Sequence, residues 1–337
     1  MPDARFWGDS EQAFLAALGP GRGPWLAISG GGEDGAFGAG LLNGWTQAGT
    51  RPDFSVVTGV STGALIAPYV FAGSRYDAAL RERFTTVSAG DVFEDGATVD
   101  SLLDTWPLRD LIARNITPEL MADIAAQHRA GRRLFVLTTN LDAGRPTVWN
   151  IGAIAAYGGK RALDLIRQVL LASASVPGIF PPVAIDVEAN GRNFQELHGD
   201  GAINAPLFVA PESMLDKSRL NHLPTQSVYL LMNGKLYPDF MVTPHGKLSV
   251  LSRSIGLALQ GSMRGEIARV HQAAKEAGIG FNLAYIDSAF DHPSSGIFDR
   301  DYMAALFAHG LAQGKSGRPF QTDLPGPQKQ TRAEQDR

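Results

Sequence analysis

Cysteine is absent from all 337 residues, which removes disulfides, thiolate zinc sites and cysteine nucleophiles together. That absence does not fix a compartment, since a chain without thiols is stable in oxidising and reducing surroundings alike. No apolar run approaches the roughly 18 residues of a membrane span. The first ten residues, MPDARFWGDS, are polar and acidic where a secretory signal would be basic and then apolar. As written, the chain defaults to the cytoplasm, with an exported mature form left open. Long basic tracts are missing too, and 30 Lys plus Arg against 34 Asp plus Glu give a formal charge of −4. Nucleic acid is therefore not an expected partner. No His, Asp and Glu residues fall at metal-ligand spacing, so neither metal nor cofactor is expected.

What the chain does have is 44% hydrophobic residues, enough for a sizeable core and one large α/β domain. Short β-branched runs at 25–29, 54–59, 133–140, 147–151, 227–232 and 283–286 predict strands. Helical patterns at 36–48, 62–72, 118–130, 160–172 and 248–277 fall between them, the alternation of βαβ units on a mainly parallel sheet. Thr117 is placed to cap the third of these helices, Pro68 should kink the second, and Asp142 to Arg145 reads as a hairpin turn. Residues 1–20 read as an N-terminal extension with a loose helix ending at Gly19 and Pro20, and 21–315 as the domain. Residues 316–337, rich in Pro, Gln and charge, read as a disordered tail that adds nothing to the core.

Two glycine clusters carry chemistry. Gly30, Gly31 and Gly32 follow the first strand and open a helix through Gly35, Gly38 and Gly40. Read as G-x-G-x-x-G they could hold a dinucleotide pyrophosphate. Read as bare backbone amides they could donate to the oxyanion of a tetrahedral intermediate. Read structurally, they only let helix and strand approach. Glu33 and Asp34 would repel a pyrophosphate, and no acid ends the second strand, both of which weaken the cofactor reading. That second strand ends instead in Gly59-Val-Ser61-Thr-Gly63 ahead of a helix, where small neighbours let a serine hydroxyl protrude from a tight turn.

A serine nucleophile needs a base. None of the seven histidines (128, 198, 222, 245, 271, 292 and 309) marks an obvious base loop, although 222, 245 and 292 stay open. Asp200, flanked by Gly199, Gly201 and Ala202, can approach another loop closely, although Gly-Asp-Gly alone is most often a turn. Asn204 could brace that loop. Phe93, Trp106 and Phe180 could line an acyl groove, or each be ordinary core.

In this order, the glycine-rich loop, the G-x-S-x-G elbow and the Asp-Gly-Ala triplet resemble the patatin-like phospholipase family over about residues 26–206. The stretch from Ala172 to Pro182 is similar to the family's approach to its acid. The resemblance implies a three-layer α/β/α sandwich with a mainly parallel central sheet. It also implies a metal-independent carboxylic ester hydrolase acting on lipid or small esters, with transient membrane-surface contact. Carried over by position, Ser61 is the nucleophile, Asp200 the base, and Gly30, Gly31 and Gly32 the oxyanion loop, with Gly31 and Gly32 as its donors. Two departures stand out. Asp34 occupies a place where many members are basic, and Ser29 one where many are acidic. An acyltransferase with the same dyad, a catalytically silent lipid-binding protein of the same fold, and an ordinary serine-histidine esterase are the competing readings.

Overall fold

In the computed structural model, which describes residues 1, 3–96, 101–189, 191–216, 219–240, 242, 243 and 245–326, the chain starts as an edge strand. β1 (Arg5–Trp7) is followed by α1 (Glu11–Ala17), whose Phe14 is fully buried. The stretch read as a loose extension thus supplies both a strand and a core residue. β2 (Trp25–Ile28) and β3 (Val56–Val60) flank α2 (Gly35–Gln47), and α3 (Thr62–Ala72) leaves the elbow. Every residue of β2 and β3 is buried, as an apolar strand covered on both faces must be. α3 continues through Pro68 as one helix.

α4 (Asp77–Thr85), α5 (Ala89–Val92) and a small antiparallel pair, β4 (Glu94–Asp95) with β5 (Leu103–Asp104), lead to α6 (Trp106–Asn115). α7 (Pro118–Arg129) starts where the sequence places its cap: the Thr117 side chain accepts from the Leu120 amide. β6 (Arg133–Asn140) and β7 (Arg145–Asn150) form the expected hairpin, succeeded by α8 (Ile151–Tyr157) and α9 (Gly159–Ser173). A second hairpin, β8 (Val183–Ala189) with β9 (Arg192–Asp200), is not expected from sequence. α10 (Glu212–Asp216), β10 (Ser227–Lys235), α11 (Lys247–Ala277), β11 (Gly280–Ile286) and α12 (Arg300–Lys315) complete the fold.

Nine of the described strands form one sheet in the order β1-β7-β6-β3-β2-β10-β11, with β9 also on β6 and β8 on β9. The five from β6 to β11 are mutually parallel. One apolar core joins the sheet to α2, α3, α9 and α12, and another joins its opposite face to α1, α10 and α11, giving three layers. α2 and α12 meet backbone to backbone. A methyl on Gly40 would fall 2.1 Å from the Phe307 carbonyl oxygen, and one on Gly310 would fall 2.3 Å from that of Phe37.

The tail is not clear of the core. Phe320 packs tilted against Trp45 at 4.8 Å and edge-on to Tyr229 at 5.0 Å, and Gln321 pairs with Leu283. Residues 327–337 of that expected tail lie outside the described residues. No helix among the described residues is long and apolar enough to cross a membrane.

Candidate active site

Two strands that approach each other end to end create the site. β3 runs parallel to β6 and its last residue, Val60, pairs with Leu137; β9 runs antiparallel to β6 and its last residue, Asp200, pairs with Thr138. The two therefore share one flank of β6, and their carboxyl ends meet. Ser61 comes directly after Val60, so the serine and the aspartate are neighbours although 139 residues separate them in sequence.

Ser61 adopts φ 54° and ψ −126°, a region costly for a non-glycine residue, by about 1 to 3 kcal/mol. Hydrogen bonds on both sides hold it there. The Ser61 amide donates to Ser173 Oγ at 3.0 Å, its carbonyl accepts from Ala64 at 2.8 Å, and Thr62 Oγ1 donates to the Gly32 carbonyl at 2.8 Å. Both elbow glycines are sterically required. A methyl on Gly59 would lie 2.5 Å from the Gly63 carbonyl oxygen, and one on Gly63 would lie 2.2 Å from that of Ile28.

Asp200 is 1% exposed. Its Oδ1 accepts from the Ala202 amide at 2.8 Å, while its buried Oδ2 has no partner of ordinary hydrogen-bond geometry among the described residues. Burial pushes its pKa up to about 7, drawn back in part by the Ser61 hydroxyl and the Ala202 amide. The loop around it is braced as the sequence suggests: Asn204 Nδ2 donates to Thr139 Oγ1 at 2.8 Å, which donates to the Asp200 carbonyl at 2.9 Å. From the other side the Ser175 carbonyl accepts the Asp200 amide at 2.8 Å. A methyl on Gly201 would lie 2.5 Å from the Leu137 carbonyl oxygen, so that position has no room for a side chain.

The three glycines of the loop are not equivalent. The Gly30 amide is occupied by the Pro206 carbonyl at 3.2 Å, so it is not a free donor; Gly30 instead lets the loop close on Ser61, whose Cβ would be 3.0 Å from an added methyl. Gly31 and Gly32 are exposed, and their amides have no hydrogen-bond partner among the described residues. Asp34 is tied away by Tyr302, whose hydroxyl donates to Oδ1 at 2.6 Å, and Glu33 accepts from the Phe298 amide. Burial raises Glu33 to about 7 and Asp34 to about 6. Phe298, at φ 55°, is thereby fixed between the glycine loop and the wall of a cavity. Ser29 joins the loop to β10: its Oγ donates to the Gly30 carbonyl at 2.7 Å and accepts from the Asn233 amide at 2.9 Å.

Two cavities meet at Ser61, Gly32 and Val176. One, of about 150 Å³, is walled mainly by apolar side chains including Leu65, Leu111, Ile112 and Phe180. The other, of about 310 Å³, contains Asp200, Asp34 and Lys235 and is closed by Leu259 and Met263 of α11. Phe93 backs Phe180 at 6.2 Å, whereas Trp106 is exposed and its Nε1 donates to Glu94 at 2.6 Å.

No histidine is among the residues lining either cavity. His198 is fully buried against Trp149 and Thr138 with Glu196 at 3.3 Å, and burial holds its pKa below the ordinary value. Among the described residues no group of three His, Asp or Glu converges as a metal site.

Sequence reasoning passes over Ser173 and Tyr302. The Ser-Ala-Ser run before Pro177 is the one available signal for the first, and nothing local signals the second.

A search of the curated proteins returns no match. Among solved structures, VipD from Legionella pneumophila aligns with 88% of this chain and 67% of its own, at a TM-score of 0.46 and 11% identity. The family model described as patatin-like phospholipase matches residues 26–211, from β2 through the loop beyond Asp200. That match takes in more than half of the chain, which therefore belongs to the patatin-like phospholipase family.

Proposed function

We propose that this protein is a serine lipid acyl hydrolase of the phospholipase A or carboxylesterase type, working through a Ser61–Asp200 dyad. The observation that carries the reading is the buried, open Oδ2 of Asp200 beside a strained Ser61 at the junction of two cavities.

Ser61 Oγ attacks the ester carbonyl carbon while its proton passes to Asp200. The oxyanion is held by the amides of Gly31 and Gly32, aided by the amino end of α3. Collapse of the intermediate expels the alcohol, which recovers the proton from Asp200, and leaves the acyl group on Ser61. Water then attacks the acyl-enzyme with Asp200 again as base, releasing the fatty acid. A carboxylate with an ordinary pKa would be a weak base for this task; one raised to about 7 is matched to neutral pH. The apolar cavity suits the acyl chain and the second cavity the alcohol portion. Transient contact with a lipid surface belongs to the same reading: Leu251 and Leu257 are exposed on α11, the helix that closes the second cavity.

The test is an ester assay with mass analysis of a fluorophosphonate adduct. Label on the peptide containing Ser61, loss of turnover in Ser61→Ala, and a fall in kcat of about 10² to 10⁴ in Asp200→Asn are expected. Replacing histidines singly with Gln should cost little. Near-normal turnover in Asp200→Asn, or a collapse in His198→Gln at unchanged stability, would refute the dyad.

A further inference from the structure

The apolar cavity does not stay apolar along its length. Thr62, Leu65 and Tyr69 line it from one face of α3, and seven residues at about 1.5 Å each put Tyr69 about 10 Å farther along the helix than Thr62. There the Tyr69 hydroxyl accepts from Arg83 Nε at 3.0 Å and donates to the Asn115 carbonyl at 3.3 Å. Arg83 and Asn115 both line the cavity at this end, and the guanidinium carbon lies 5.8 Å from the Tyr69 ring centre.

These contacts use only Nε of Arg83. Among the described residues no carboxylate lies within ion-pair distance of it. Neither its two terminal nitrogens nor the Asn115 side-chain amide has a hydrogen-bond partner there. The far end of an otherwise greasy tunnel thus presents a fork of charged N–H donors and a neutral one.

A guanidinium with free terminal nitrogens matches a carboxylate, which can accept two parallel bonds from it. A methyl group in the same place would displace water from the cation and return nothing. We propose that this cavity selects acyl chains of medium length ending in a carboxylate, with Arg83 and Asn115 binding the distal group. The spacing of these lining residues along α3 sets the length. About 10 Å at about 1.2 Å per bond of an extended chain is roughly eight bonds, which makes a nine-carbon dicarboxylic half-ester the best fit. The inference rests on the acyl hydrolase reading and adds to it a preference at the end of the chain remote from the ester.

The experiment compares kcat/KM for 4-nitrophenyl nonanoate and for the 4-nitrophenyl half-ester of nonanedioic acid. Wild-type protein, Arg83→Met, Arg83→Lys and Asn115→Leu are assayed side by side. The ratio of half-ester to nonanoate should fall about tenfold or more in Arg83→Met, return in part in Arg83→Lys, and fall less in Asn115→Leu. Equal ratios in wild type and Arg83→Met would overturn the assignment while leaving the hydrolase reading intact. Hydrolysis of neither ester by wild type would overturn both. A binding measurement separates selection from turnover: Ser61→Ala protein titrated calorimetrically should bind monomethyl nonanedioate more tightly than methyl nonanoate. Equal or reversed affinities would count against Arg83 as the carboxylate site.

Discussion

The backbone N–H of Ser61 donates to the hydroxyl of Ser173 at 3.0 Å, and that hydroxyl donates in turn to the Leu137 carbonyl at 2.7 Å. One buried side chain at the end of α9 therefore ties the strained elbow to the residue of β6 that pairs with Val60. Ser173→Ala deprives the half-buried Ser61 amide and the buried Leu137 carbonyl of this partner, so unfolding free energy should fall by about 1 to 3 kcal/mol. If Ser173 also positions the nucleophile, kcat should drop while KM changes little. A lower melting temperature with unchanged kcat would reduce Ser173 to a purely structural role.

The raised pKa of Asp200 gives pH dependences of opposite sign for activity and stability. If Asp200 is the base proposed above, its carboxyl must be ionised to act, so kcat/KM should rise with pH about an apparent pKa near 7. For stability, the folded state holds the proton more tightly than the unfolded chain between the ordinary value of 3.8 and about 7. The contribution of Asp200 is therefore complete below 3.8 and is lost as pH rises through 7, by about 4 kcal/mol at most. Asp200→Asn, which cannot ionise, should be more stable than wild type at pH 8 and show a smaller difference at pH 5. Denaturant titrations at the two pH values check this, and a variant less stable at both would contradict it.

Tyr302 supplies the hydroxyl that accompanies Asp34 into the fold. Above pH about 6 Asp34 is ionised and depends on that donor; below it the carboxyl is protonated and depends on it less. Tyr302→Phe should accordingly lose more stability at pH 8 than at pH 5, by about 1 to 3 kcal/mol at the higher value. Chemical unfolding across that range would reveal a pH-independent loss if the ring alone matters.

Glycines of two helices make a paired test of packing. Gly310→Ala forces a methyl against the Phe37 carbonyl and should cost about 3 kcal/mol or more as α12 is pushed off α2. Gly265→Ala on α11 meets nothing within 4 Å and should stabilise by about 0.5 to 1 kcal/mol. Thermal melts of the two variants should shift in opposite directions.

The parallel strands are legible in the sequence because their residues alternate little and are β-branched, as strands buried on both faces must be. β6 reads to the residue, and α3 likewise. β9 escapes notice because its first half is exposed and polar, so it looks like a loop until Asp200 is seen to close it. α12 escapes because its apolar side is interrupted by Gly310 and Gly314, residues present for contact with α2 and invisible to periodicity. Within the site, Ser61 and Asp200 are readable from their glycine neighbours. That Gly30 commits its amide to Pro206, that Ser173 steadies the elbow, and that Arg83 ends the apolar cavity depend on contacts between distant segments, which no local pattern encodes.

The backbone contact between α2 and α12 bears on the timing of synthesis. α2 begins at the Gly30–Gly32 loop, and what it rests on is a helix that leaves the ribosome some 270 residues later. Asp200 likewise emerges long after Ser61. Early β2 to α3 segments can pair locally as they appear, but loops this long close late. The nascent chain therefore carries Ser61 for a time without Asp200 beside it and with the Gly30–Gly32 loop unsettled. On the hydrolase reading proposed above, turnover waits until α12 has seated its glycines against α2.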